Sequence, residues 1–273
     1  MNAATGLQIA FLVFAFNFFS MLMAAATARA LALPLGSVNL VGQVISFSAA
    51  SALFLFVRPL RRFAASELDR PLAGSAAREI IFAAGTKVAS TAAVIGFFAA
   101  AAIAAGSAAP VSYGVFPVDP AGAWAWSLSP AGLAQMVLLS WIVGPVIEEL
   151  VFRGLLYRAW ERQWGWLPSL VLTSACFALC HPTHMATTFL GSVIYVCVLR
   201  RTGTLRASIA VHALFNLLVS WPLLGQLIMQ APKGDPQSWS TWTPFLACLA
   251  FTVVALPAYV LMSRRDARDT ATC

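Results

Sequence analysis

The chain reads as a succession of long apolar runs, each closed by proline, glycine or a cluster of charge. Runs near 6–30, 38–57, 80–105, 131–157, 166–181, 184–199, 204–222 and 241–262 predict eight helices, most of them near the ~20 apolar residues a bilayer-spanning helix needs. No fixed-period repeat or low-complexity tail is visible, and no connection is long enough to be a separate soluble domain. The expected fold is therefore all-α, a polytopic transmembrane helical bundle of about eight spans forming a single membrane domain. Within it, 1–130 supplies N-terminal spans of unassigned role, 131–222 the candidate catalytic core, and 223–273 an external loop and the last span.

Composition strengthens this picture. Hydrophobic residues make up 60% of the 273 and charged residues 10%, against roughly 25% charged in an ordinary soluble domain, so the surplus apolar surface has to meet lipid. The N-terminal run from Ile9 to Met23, followed by Ala26-Thr27-Ala28, resembles a signal-peptide core and cleavage site, but Met1 to Gln8 carries no basic side chain, and the stretch is taken as the first span. Four of the five cysteines fall inside apolar runs, where they act as small hydrophobes rather than as a disulfide framework.

The formal charge of +7 points to cytoplasmic loops and anionic headgroups. No lysine-rich run or aromatic-laced basic stripe suggests a nucleic-acid partner. Most of the 17 basic residues, among them Arg58, Arg61, Arg62, Arg158, Arg200 and Arg201, fall on alternate connections and the C-terminus, which predicts that both termini are cytoplasmic. The segment from Pro110 to Pro130, with Trp124, Trp126 and the single charge Asp119, suits an external loop. An arginine- and alanine-rich chain of this kind fits a bacterial inner membrane. Lys87, about two turns into the third run, is expected to snorkel to the cytoplasmic headgroups.

Ionisable groups inside spans cost at least ~2.5 kcal/mol each on insertion scales, so they need partners or a task. Three clusters occur. In Glu148-Glu149-Leu150-Val151-Phe152-Arg153, Glu149 and Arg153 have the favoured spacing for a helical ion pair. Glu148 points about 100° away round an ideal helix. The second cluster ends in Phe177-Ala178-Leu179-Cys180-His181 before Pro182, with Phe177 one turn from His181 and able to fix its rotamer. The third is Val211-His212-Ala213-Leu214-Phe215-Asn216, whose four-residue spacing turns His212 and Asn216 the same way, with Ser208 one turn earlier. Counted from the cytoplasmic ends, Glu148 lies about 14 Å deep, His212 about 12 Å, Asn216 about 18 Å and His181 about 22 Å.

Converging on one hydrated pocket, these side chains have a definite chemistry. A desolvated carboxylate beside a histidine can hold and deprotonate a water, and a second histidine with an amide can donate to the oxyanion of a tetrahedral intermediate. That is amide hydrolysis without a covalent intermediate. The same glutamates and histidines are also competent zinc ligands.

The motifs Glu-Glu-x-x-x-Arg, Phe-x-x-x-His and His-x-x-x-Asn, in that order on three late spans, resemble the CAAX protease and bacteriocin-processing family, which includes Rce1-type prenyl-protein endopeptidases and bacterial Abi proteins. The similarity covers roughly 131 to 221. The resemblance implies that Glu148 and His181 activate the water, that His212 and Asn216 stabilise the oxyanion, and that Glu149, Arg153 and Phe177 support them. It leaves both a metal-free glutamate mechanism and a Zn2+ site open. The metal ligands would be Glu148, Glu149, His181 and His212. The implied substrate is a peptide or a membrane-anchored protein.

Two other classes compete with this reading. Buried carboxylates and histidines also mark proton- or ion-coupled carriers, although no inverted repeat is visible, and a non-catalytic scaffold could retain the same residues. Other intramembrane hydrolase chemistries lack their motifs: no His-Glu-x-x-His pair occurs, Gly191-Ser192 has no following glycine, and Gly234-Asp235 lies in a loop. His184, just after Pro182, is expected to cap the sixth span.

Overall fold

The computed structural model describes residues 37–72, 74–106, 130–182, 184–220 and 238–264, with isolated helical positions between 8 and 30. Every element among them is helical: α1 (Ser37–Phe56), α2 (Arg58–Leu68), α3 (Ala76–Ala104), α4 over 130–164, α5 (Trp166–Leu179), α6 (Met185–Thr202), α7 (Leu205–Ser220) and α8 (Trp239–Met262). From the second apolar run onward, each predicted helix is found. The connections holding Asp119, Trp124, Trp126, Lys233 and Gly234-Asp235 lie outside the described residues, as do most of the first run and the tail beyond Arg264.

A helix at each apolar run does not make each one a span. Ala76–Ala104, Gly132–Trp164 and Trp239–Met262 are long and apolar enough to cross a bilayer, whereas Trp166–Leu179 and Leu205–Ser220 are apolar but shorter. Fourteen residues rise only about 21 Å, against a hydrocarbon core of ~30 Å. The expected second span also ends differently. Val57 is extended, with φ −84° and ψ 104°, and Pro59 opens α2 because a helix start loses nothing by its missing N–H. Val41–Phe56 and Arg58–Leu68 consequently meet at a 93° bend. The residues after it, Arg58, Arg61 and Arg62, are strongly polar. Large apolar side chains such as Ile81 (70% exposed) and Val254 (71%) point outward, as contact with lipid tails permits. The long apolar helices and their outward-facing side chains mark an integral membrane protein.

By packing, the chain divides into two units, 1–71 with 120–169 and 72–119 with 170–273. In the first, α1 packs against the first half of α4. Glu67, buried at the end of α2, meets the Arg158 guanidinium in a forked ion pair, with Nη2 2.7 Å from Oε2 and Nη1 on Oε1. Arg70 adds a contact at 3.3 Å. A carboxylate this buried needs such partners, and the fork ties α2 to the C-terminal end of α4.

In the second unit α3 is the common wall, packed against α6, α7 and α8. Its buried face is rich in small residues, including Ala83, Ala84, Ala93, Gly96 and Ala99, which allow close helix approach where lipid provides no hydrophobic drive. At Gly96 an added Cβ would lie 2.6 Å from Phe245 Cβ of α8. At the other end, Arg201 of α6 reaches Glu79 of α3 through Nε at 2.9 Å and Nη2 at 2.5 Å. The Tyr259 hydroxyl of α8 donates to the same carboxylate at 3.1 Å.

One expectation is overturned inside this unit. Lys87 does not snorkel to the headgroups: it is 2% exposed, and its Nζ donates to the carbonyl oxygen of Thr187 in α6. The apolar stem follows the buried face of α3 because a polar acceptor waits there, and a partner inside the protein outweighs the path to water.

Candidate active site

The first cluster lies on α4, which is not the regular α-helix the sequence suggested. Two π-helical stretches, Gln135–Val143 and Leu150–Tyr157, flank a short α-helical piece, Gly144–Glu149. Pro145 explains the first: without an N–H it cannot bond the preceding turn, and its ring crowds the carbonyl four residues back. The Gly144 N–H instead reaches the Leu139 carbonyl, five residues away, and a Cβ on Gly144 would lie 2.5 Å from that oxygen. Wider i→i+5 turns invalidate a depth and azimuth count made at 1.5 Å and 100° per residue, so the depth assigned to Glu148 does not carry over. Such stretches are frequent at functional sites.

Glu149 and Arg153 form the ion pair their spacing predicted, Oε1 to Nη1 3.0 Å, with both side chains fully buried. In a water-free interior this pair neutralises two charges that neither residue could carry alone. Glu148, near the end of the same α-helical piece, is half-buried.

The remaining site candidates belong to the second unit. α5 ends at Leu179, and the chain turns through a His181 N–H to Ala178 carbonyl bond of 2.9 Å. His181 Nδ1 lies 2.8 Å from the Phe177 carbonyl oxygen. A carbonyl can only accept, so Nδ1 carries the proton, and in the neutral ring Nε2 is the acceptor. The Phe177 ring packs on the His181 ring at 4.5 Å between centroids, the contact expected from one helical turn.

Phe177 also meets His212 edge-on at 5.9 Å. A single phenyl group thereby joins the second and third clusters. The other face of the His212 environment is Tyr195 of α6, whose ring is stacked on the imidazole at 4.6 Å and 21°. Ser208, one turn before His212, donates to the Tyr195 carbonyl oxygen at 3.1 Å, so the backbone of α6 holds α7 at the level of the stacked rings. His212 is 5% exposed, and Asn216, one turn on, is half-buried.

His184 occupies the N-cap position of α6, but its side chain makes no capping bond. Its carbonyl serves instead, accepting from the Thr188 N–H at 2.9 Å and from the hydroxyls of Thr187 at 3.0 Å and Thr188 at 2.7 Å. Two supporting features had no sequence signal: the π-helical winding around Glu148-Glu149, and Tyr195, an aromatic residue within an apolar run whose partner is on another helix.

Of the four side chains expected to serve a zinc ion, Glu149 is engaged by Arg153. Among the described residues no group of three or more His, Cys, Asp or Glu side chains is gathered to hold a metal. The chemistry proposed below uses no metal.

The family model described as type II CAAX prenyl endopeptidase Rce1-like matches residues 130–218, the stretch that holds α4 to α6, most of α7 and all three clusters. No curated protein matches, and no solved structure does.

Proposed function

We propose that the chain is an intramembrane endopeptidase that hydrolyses peptide bonds with a glutamate-activated water, a reading supported by the match of residues 130–218 to the Rce1-like type II CAAX prenyl endopeptidase family model. The observation that carries the reading is the Phe177 contact to both His181 and His212, since it brings together two imidazoles whose motifs are separate in sequence. The Glu149–Arg153 pair gives one of the two adjacent carboxylates a structural task, and the chemical task is proposed for Glu148.

In this mechanism Glu148 takes a proton from a water that His181 Nε2 orients. The resulting hydroxide attacks the carbonyl carbon of the scissile amide. As the C=O π bond breaks, negative charge develops on oxygen, where His212 and Asn216 donate hydrogen bonds. Collapse of the tetrahedral species breaks the C–N bond, and the proton held by Glu148 passes to the departing amine, which closes the cycle with one water consumed. Hydrogen bonds to a developing oxyanion are worth about 2.7–4 kcal/mol each in a site of this type.

The substrate that suits an apolar enclosure is a peptide or a protein held in the same membrane. We further propose that the basic connections face the cytoplasm of a bacterial cell, and that the shorter helices complete a bundle of about eight crossings.

The test is reconstitution of the purified chain in vesicles with candidate membrane peptides. Cleavage by the wild type that disappears in both Glu148→Ala and His181→Ala is the expected result. Cleavage that survives both, or proton flux in vesicles that cleave nothing, refutes the assignment.

A further inference from the structure

The buried lysine of α3 has no part in the hydrolysis just described, yet its surroundings are specific. Lys87 is one of two lysines in the chain. Its Nζ bonds the Thr187 carbonyl in the first turn of α6 and lies 4.5 Å from the centroid of the Phe215 ring on α7, within the range of a cation–π contact. Gly191, one turn beyond Thr187, makes room for it. A Cβ at Gly191 would lie 2.5 Å from both Cε and Nζ of Lys87, so any larger residue would displace the ammonium.

A charge buried at membrane depth costs several kcal/mol, and a methionine or leucine would fill the same volume without that cost. What the ammonium adds is direction: it touches α6 at one carbonyl and α7 at one ring face. Phe215 is the residue before Asn216 and three after His212. His212 in turn is stacked on Tyr195 of α6, and Ser208 bonds Tyr195's carbonyl. The approach of α7 to α6 therefore fixes where His212 and Asn216 point, and Lys87 contacts both helices from the third side.

We propose that Lys87 is a positioning residue for His212 and Asn216: its ammonium, held against Thr187 in the space that Gly191 leaves and capped by Phe215, sets the seating of α7 on α6 and thereby the aim of the two oxyanion donors. The catalytic part of this statement rests on the roles given to His212 and Asn216 above; the conformational part does not.

The experiment uses the full chain in nanodiscs with ring-labelled histidine. Only three histidines are present, so the His212 ring resonance is identified by its loss in His212→Gln. Lys87→Met removes the charge at near-constant volume, and Gly191→Ala pushes the ammonium aside without removing any polar group. Each is expected to move the His212 resonance and to lower kcat by about tenfold to a hundredfold, the cost of roughly 1 Å of misplacement, with KM little changed because the donors act on the transition state.

The double variant should be no worse than Lys87→Met, since both changes act through one group. An unmoved His212 resonance in both single variants overturns the proposal, as do kcat losses that add in the double variant. Should Lys87→Met fail to fold, Gly191→Ala decides alone. Should no substrate be cleaved by the wild type, that failure counts against the protease reading, while the His212 resonance still decides the role of Lys87.

Discussion

The Glu149–Arg153 pair allows a quantitative prediction. Both side chains are fully buried and the contact is 3.0 Å, so removing the carboxylate in Glu149→Ala takes a counter-charge away from a buried guanidinium. Breaking a buried pair from one side costs about 3–5 kcal/mol. With roughly 2–4 °C of Tm per kcal/mol for chains of this general size, the midpoint of thermal unfolding in detergent should fall by about 6–20 °C. Replacing both partners, Glu149→Leu with Arg153→Met, removes the charges together and should recover most of that loss, because two well-packed apolar side chains carry no desolvation penalty. Glu148→Gln should leave the midpoint within about 2 °C, the range of a change of less than 1 kcal/mol, while abolishing cleavage. The assay is circular dichroism or tryptophan fluorescence on heating, for all four proteins. If Glu149→Ala matches the wild type, or if the double variant is less stable than the single, the pair is not the structural support inferred here.

Three further outcomes follow from other contacts. Gly144→Ala places a Cβ 2.5 Å from the Leu139 carbonyl oxygen, a rigid backbone atom, and should destabilise by about 1–3 kcal/mol as overpacking does; an unchanged midpoint would mean the π-helical turn relaxes freely. Gly96→Leu should separate α3 from α8 at Phe245, where even a Cβ has only 2.6 Å, and should lower expression and thermal stability together, whereas Gly85→Ala, with nothing within 4 Å, serves as the neutral control. Cleavage by the reconstituted protein should persist after dialysis against a chelator. Activity lost on chelation and restored by zinc would reverse the metal-free mechanism.

Much of the architecture was legible in the order of residues. Apolar runs report helices because, in lipid, a backbone must satisfy its own hydrogen bonds. Glu149 and Arg153, or Phe177 and His181, report their contacts because residues four apart share a helical face. The spacing of Phe177-x-x-x-His181 therefore implied the 4.5 Å ring contact without any knowledge of the fold.

Other features depended on which helix lies beside which. The count of full crossings was not readable, since α5 and α7 are shorter than an apolar run suggests and the chain turns by 93° after Phe56. Lys87 was misread for the same reason. Sequence alone offers a buried lysine only its own helix and the nearest headgroup, whereas α6 supplied an acceptor 100 residues away. Tyr195 on His212 and Phe177 between two imidazoles are likewise contacts between helices, invisible to any local period. The residue pattern determined the helices, their apolar character and where along them the polar positions fall. Only the tertiary structure decided the partners of each buried charge and ring, because the free energy of a buried polar group is set by what packs against it rather than by its neighbours along the chain.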